Sequence, residues 1–188
     1  METTTTLGSW TEDAGENNLS DALLRLKAAD IFQSWRRCSL TADFLARYYS
    51  YYFPYREKAT DRISRETAEN NISYILNELI ENTAKYSDAA DKSVEVTVRL
   101  RPSDIQFQVT NRVTEKRAED FVRMAAELME GNTEQQYLSK LEREVDSSGL
   151  GYLTMINDYG VTLGFKVEKS GDDLFSVAVQ ASMLWKEA

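Results

Sequence analysis

The sequence of 188 residues contains no histidine. Without an imidazole there is no Ser-His-Asp or Cys-His nucleophile, no histidine general base and no His-ligated zinc site. The one cysteine, Cys38, cannot build a cysteine zinc cluster or close an intramolecular disulfide. A single unpaired cysteine fits a reducing cytoplasm, where the chain is expected to reside. Basic residues are in deficit, 22 against 31 acidic, for a formal net charge of −9. That balance excludes a general DNA or RNA binder, which needs a basic footprint. No apolar run is long enough to span a bilayer, so no membrane partner is expected. Residues 1–18 also lack the basic start and apolar stretch of a signal peptide. Catalysis would have to rest on carboxylates, amides, lysine or a divalent cation held by Asn or Asp.

What is present suits a well-cored globular chain: 42% hydrophobic and 11% aromatic residues. At this length one domain is the default, and it buries roughly 70% of its unfolded surface. Residues 1–18 are polar, Thr-rich and aperiodic, with four acids and no base, and read as a flexible acidic tail that Trp10 could pin. Residues 19–188 form the single domain. Leu24, Leu26 and Ala28 alternate like a short strand, and residues 31–35 suit a helical turn. A clearer helix begins near Ser39, with Ser39 or Thr41 as N-cap and Leu40, Phe44, Leu45 and Tyr48 on one face. It stops before Pro54. The strongest helix runs from about Asp61 to Tyr86 on Ile63, Ile72, Ile75, Leu76, Leu79 and Ile80.

The period then changes to two. Val94, Val96, Val98 and Leu100 face a return strand with Ile105, Phe107 and Val109, a hairpin with one buried face. Residues 116–145 return to helical spacing in two pieces broken at Gly131-Asn132. A glycine turn opens a short helix through about Asn157, and Val161–Glu168 with Leu174–Gln180 form a second hairpin. This order predicts an α+β two-layer sandwich, a mixed, mainly antiparallel sheet with helices on one face.

The long helix carries the chemistry. Glu78, Asn82 and Lys85 fall within a stripe about 60° wide at roughly 100° per residue, along the rim of the apolar face. A carboxylate can polarise a nucleophile, an Asn carbonyl oxygen is a hard ligand suited to Mg²⁺, and an ammonium can neutralise phosphate. The bland alternative is a solvated face with a Glu–Lys pair. Downstream, Gly149-Leu150-Gly151 stands at a loop-to-helix junction, where backbone N–H groups can approach a phosphate; its bland alternative is a plain turn.

In this order and with hairpins between them, the two motifs resemble the histidine-kinase-type ATPase superfamily (Bergerat fold) of gyrase, Hsp90, histidine kinases and MutL. "NELIENTAKYS" is similar to its asparagine box and "SSGLGYLTMINDYG" to its second glycine box, and the resemblance spans residues 40–180. With no phosphoacceptor histidine and no dimerisation-phosphotransfer domain, the resemblance is to the stand-alone anti-sigma-factor-type serine kinases. It implies Mg²⁺ with ATP or ADP as cofactor. Asn82 would hold the metal, Glu78 would take the general-base position, and Lys85 would approach a phosphate. Ser148, Gly149, Leu150 and Gly151 would wrap the phosphates under a lid of residues 114–148. It also implies a regulatory protein partner, either anti-sigma-antagonist-like or response-regulator-linked.

The chain departs from that pattern twice. Asn111 stands where the first glycine box has the Asp that accepts from adenine, and that box's glycines are absent. A neutral acceptor makes a hydrogen bond about half as strong as a charged one. The Gly-Thr of the third box is absent too, leaving Ser176 as the hydroxyl candidate. Two readings follow: a nucleotide-dependent serine/threonine kinase acting on a partner, or a non-catalytic interaction module that keeps the fold with nucleotide binding weakened or lost.

Elsewhere, Tyr48, Tyr49, Tyr51, Tyr52, Phe53 and Tyr55 crowd one helix end, which suits packing on the long helix or a homodimer contact more than base stacking. Trp35-Arg36-Arg37 reads as a stacked core edge, and Cys38 as a small buried hydrophobe. Glu142, Glu144 and Asp146 read as a solvated helix face rather than metal ligands.

Overall fold

Residues of period two build the sheet, and residues of period 3.6 cover one side of it. The computed structural model describes residues 4–12, 18–53, 63–87, 93–141, 149–171 and 173–184. Within them lie strands β1 (Thr4–Gly8), β2 (Ser20–Lys27), β3 (Ser93–Leu100), β4 (Asp104–Thr114), β5 (Thr162–Lys169) and β6 (Leu174–Leu184). The helices are α1 (Ala28–Gln33), α2 (Trp35–Ser50), α3 (Arg65–Tyr86), α4 (Glu115–Glu130), α5 (Thr133–Leu141) and α6 (Leu150–Tyr159). The strands form one sheet in the order β1-β5-β6-β4-β3-β2, and every neighbouring pair is antiparallel. The fold is the expected two-layer α+β sandwich. No helix among the described residues is long and apolar enough to cross a membrane.

Register puts Val96 opposite Val109 and Val109 opposite Val179, and Val179 in turn opposite Phe165. Each of these is buried, so one sheet face is a continuous apolar floor for α3 and its neighbours. The long helix starts at Arg65, where Ser64 Oγ accepts from Thr67 N at 3.1 Å; of the start expected near Asp61, residues 61 and 62 lie outside the described residues. Helix α2 starts four residues earlier than Ser39, since nothing in Trp35-Arg36-Arg37-Cys38 breaks a helix. Ser39 and Thr41 are interior to it, and Thr41 Oγ1 donates back to Arg37 O at 2.8 Å.

The buried face of α2 differs from the expected one. Of Leu40, Phe44, Leu45 and Tyr48, only Leu45 is buried; the buried stripe is Cys38, Ala42, Leu45, Ala46 and Tyr49. Small side chains at 38, 42 and 46 let the α2 backbone come close to α3, Leu45 and Tyr49 fill the rest of the inward face, and Leu40, Phe44 and Tyr48 are left outside. Cys38 is buried as expected, and burial with the nearby Glu81 and Glu78 charges pushes its thiol up to about 12, so it stays protonated. Trp35 is 42% exposed rather than a core edge, and Lys85 Nζ lies over its ring, 5.8 Å from the centroid.

The first residues also correct the tail expectation. Thr4–Gly8 form edge strand β1 against β5, and Ser9 N donates to Leu163 O at 2.8 Å. The chain then crosses the polar side of the sheet. Gln180 Nε2 donates to Thr11 O at 2.9 Å, Gln106 Nε2 to Thr11 Oγ1 at 2.9 Å, and Lys166 pairs with Glu12 at 2.9 Å. Gly164 permits that path, since a Cβ there would lie 2.6 Å from Trp10 N. The consecutive threonines at 4–6 carry β propensity that composition alone hid. Residues 13–17 lie outside the described ones.

Candidate functional site

Helix α3 is held down by Ile72, Ile75, Leu76, Leu79, Ile80 and Ala84, all fully buried. That anchoring leaves Glu78 and Asn82 half-buried along its rim. Helix α6 begins at Gly149, which takes a left-handed φ of 79° that favours glycine. Tyr152, Leu153 and Met155 bury it, with the Tyr152 ring edge-on to Phe165 at 5.8 Å. Tyr74 of α3 stacks on Tyr159 of α6, centroids 4.6 Å apart and planes 10° apart. The two helices are thus locked side by side.

This packing brings together residues 69 or more positions apart in sequence. A Cβ on Gly151 would overlap Glu78 Oε2, and it would lie 3.7 Å from Asn82 Nδ2. So the Glu78 carboxylate and the Asn82 carboxamide both face the bare backbone of the first turn of α6. The N–H groups of that turn have no intrahelical acceptor, and the helix end favours an anion. A side chain at position 151 would have to displace the Glu78 carboxylate from this place.

Burial raises the pKa of Glu78 above the ordinary glutamate value, Glu81 adds to the rise, and Lys85 opposes it. A carboxylate so placed is a better proton acceptor than a solvated one. Lys85 Nζ pairs with Glu81 Oε1 at 2.9 Å, a Glu-to-Lys pairing of the kind that was the bland alternative. Its charge also lowers the Glu78 pKa.

Asn111 is buried on β4 and donates through Nδ2 to Thr83 O at 3.2 Å, tying the sheet to α3 at the residue after Asn82. Ser176 lies elsewhere. It is paired with Arg112, one register position from the Asn111–Val177 pair, so it projects from the sheet face opposite α3. Leu150 is the first, half-buried residue of α6, and Ser148 lies outside the described residues, as do Glu142, Glu144 and Asp146. Of the lid expected over residues 114–148, Glu115–Glu130 is a packed helix, with Ala118, Ala125 and Leu128 buried.

Two residues of the site had not been picked out. A Cβ on Gly149 would lie 3.3 Å from Lys140 Nζ, so an ammonium from α5 stands at the glycine turn. No local spacing announces it, since its neighbourhood to Gly149 depends on how the chain returns. Tyr74 was legible in principle, because it precedes Glu78 by one helical turn on the same stripe.

The donor set suits magnesium with a phosphate chain. One carboxylate and one carboxamide are hard oxygen donors, and Mg²⁺ takes few protein ligands, filling its octahedron with waters and phosphate oxygens. Among the described residues no group of three or more His, Cys, Asp or Glu could hold a metal by itself. No protein-family model and no curated protein matches the sequence. A chain in the crystal structure of the SiaB-SiaC complex from Pseudomonas aeruginosa is similar in fold. The TM-score is 0.62 at 12% identity, covering 90% of this chain and 92% of that chain.

Proposed function

We propose that this chain is a signalling regulator that binds Mg²⁺ with ATP or ADP between α3 and α6 and acts on a protein partner. The observation that carries the reading is the meeting of Glu78, Asn82 and Gly151, three residues from two distant motifs, at one helix N-terminus. The similar solved chain is part of a two-protein complex, which supports a protein partner.

In this reading Asn82 offers its carbonyl oxygen to the metal. The α6 N–H groups and the Lys140 ammonium receive phosphate charge. The bound nucleotide supplies a phosphoryl group, and the basicity of Glu78 suits it to take the proton from a Ser or Thr hydroxyl of the partner. The second reading, an interaction module without catalysis, is favoured by one observation: the Asn111 amide N–H is given to Thr83 O.

Thermal unfolding with ATP, ADP or GTP, with and without Mg²⁺, tests the binding. Nucleotide at a hundred times its Kd stabilises by about 2.7 kcal/mol, and Asn82→Ala should abolish the Mg²⁺-dependent part. No shift with any nucleotide at millimolar concentration sinks the proposal. Given binding, phosphoryl transfer to the partner should be lost in Glu78→Ala while nucleotide still binds; equal regulation by wild type and Glu78→Ala selects the interaction module.

A further inference from the structure

Among the described residues, the outward face of α2 and the turn after it expose a run of large apolar side chains. Leu40, Phe44, Tyr48, Tyr51 and Tyr52 are 57%, 64%, 52%, 62% and 40% exposed. Single exposed apolar residues are ordinary, but a contiguous patch marks an interaction site. This one is also ordered. The buried Tyr49 stacks near Tyr52 with centroids 6.1 Å apart and meets the edge of Tyr48 at 5.1 Å, and its hydroxyl donates to Val98 O at 3.4 Å. Between the side chains of Phe44, Arg47, Tyr48, Tyr51 and Tyr52 runs a groove of about 490 Å³.

We infer that the occupant of this face is a second copy of the same chain, its α2 packed antiparallel on the first about a two-fold axis that passes between Phe44 and Tyr48. The ridge explains the choice. Leu40, Phe44 and Tyr48 repeat every four residues on α2, the row that interdigitates with its own kind when helices cross near −50°, and Tyr52 follows in the turn just beyond the helix. A two-fold contact needs each residue to meet its counterpart in both directions. Run antiparallel, this ridge sets Leu40 against Tyr52 and Phe44 against Tyr48 of the second copy, twice over. Charge agrees: Asp43, held by Ser73 Oγ at 2.6 Å, and Arg47 flank the ridge, so each Asp43 comes opposite the Arg47 of the other copy. Size agrees as well. At roughly 200 Å² per side chain the exposed parts amount to roughly 550 Å² on each copy, against about 800 Å² per partner in a standard interface. The five side chains alone thus offer about two thirds of a standard face.

Sedimentation velocity of the full chain at micromolar concentration, without nucleotide, tests this independently of the site on α3. Wild type should sediment with twice the chain mass, and Phe44→Glu and Tyr48→Glu as single chains with unchanged circular dichroism. A wild type that stays a single chain overturns the inference, and so does a double-mass particle that survives in the folded double variant. Direction is read by cross-linking on a Cys38→Ala background. Leu40→Cys chains mixed with Tyr52→Cys chains should form the mixed disulfide faster than Leu40→Cys forms its own; the reverse order overturns the antiparallel pairing.

Discussion

Helices α2 and α3 lie against each other and use their large apolar residues in opposite ways. Helix α3 turns Ile72, Ile75, Leu76, Leu79 and Ile80 inward and leaves a polar rim. Helix α2 turns Cys38, two alanines, Leu45 and Tyr49 inward and leaves Leu40, Phe44 and Tyr48 outside. Burial energy follows area removed from water, so α3 is the structural helix of the pair. On α2 the inward residues are chosen for close approach, and the outward ones for contact with something else. A large apolar side chain is therefore evidence of burial only when the fit to the neighbouring helix is known.

The largest expected effect lies on α3. Leu76→Ala should cost about 2–5 kcal/mol by denaturant unfolding, through lost transfer energy and a cavity. On α2 the sensitive change is in the other direction: Ala46→Leu should cost about 1–3 kcal/mol, because the close contact with α3 has no room for it. If Ala46→Leu proves neutral, the tight α2–α3 contact is wrong. Asn111→Asp, which restores the carboxylate of the superfamily pattern, should lose about 1–3 kcal/mol, since it removes the donor to the buried Thr83 carbonyl.

Glu78→Gln should act by pH. The folded-state pKa of Glu78 is raised, so its stabilising contribution is complete below the ordinary glutamate value and is lost as pH rises through the folded one. The variant should therefore unfold at a higher temperature than wild type at neutral pH, with the gap closing on acidification. The opposite trend would mean that the helix end, and not burial, governs the carboxylate. The smallest effect belongs to Phe44→Ala, within about 0.5 kcal/mol for the single chain at high dilution. A loss like that of Leu76→Ala would erase the contrast between the helices.

Most of the architecture was legible because its signals are local. The hairpin of Val94–Leu100 with Ile105–Val109 follows from alternation, and α3 from its apolar spacing. The strand at Thr4–Gly8 was not legible, because its partner Gly164–Glu168 lies at the far end of the sequence and a threonine run looks polar. The site divides in the same way. Glu78 and Asn82 announce themselves by spacing on one helix. The inward reach of Lys140 and the turning of Ser176 to the other sheet face are properties of chain return and register. The face of α2 was misread because hydrophobicity marks what is apolar, not which apolar surface is already satisfied.

The sheet order also constrains how the molecule is assembled. Both rims, β1 and β2, come from the first 27 residues, while β4 and β6 at the centre are contributed later. Thr4–Gly8 cannot find their partner until Gly164–Glu168 exist, so the earliest segment of the sequence is the one that waits longest for its place. Such distant pairing slows folding, because loop closure has to be completed before the contact gives anything back. During synthesis β2, β3 and β4 can pair once Thr114 has been made, whereas the β1 rim stays open until β5 and β6 follow.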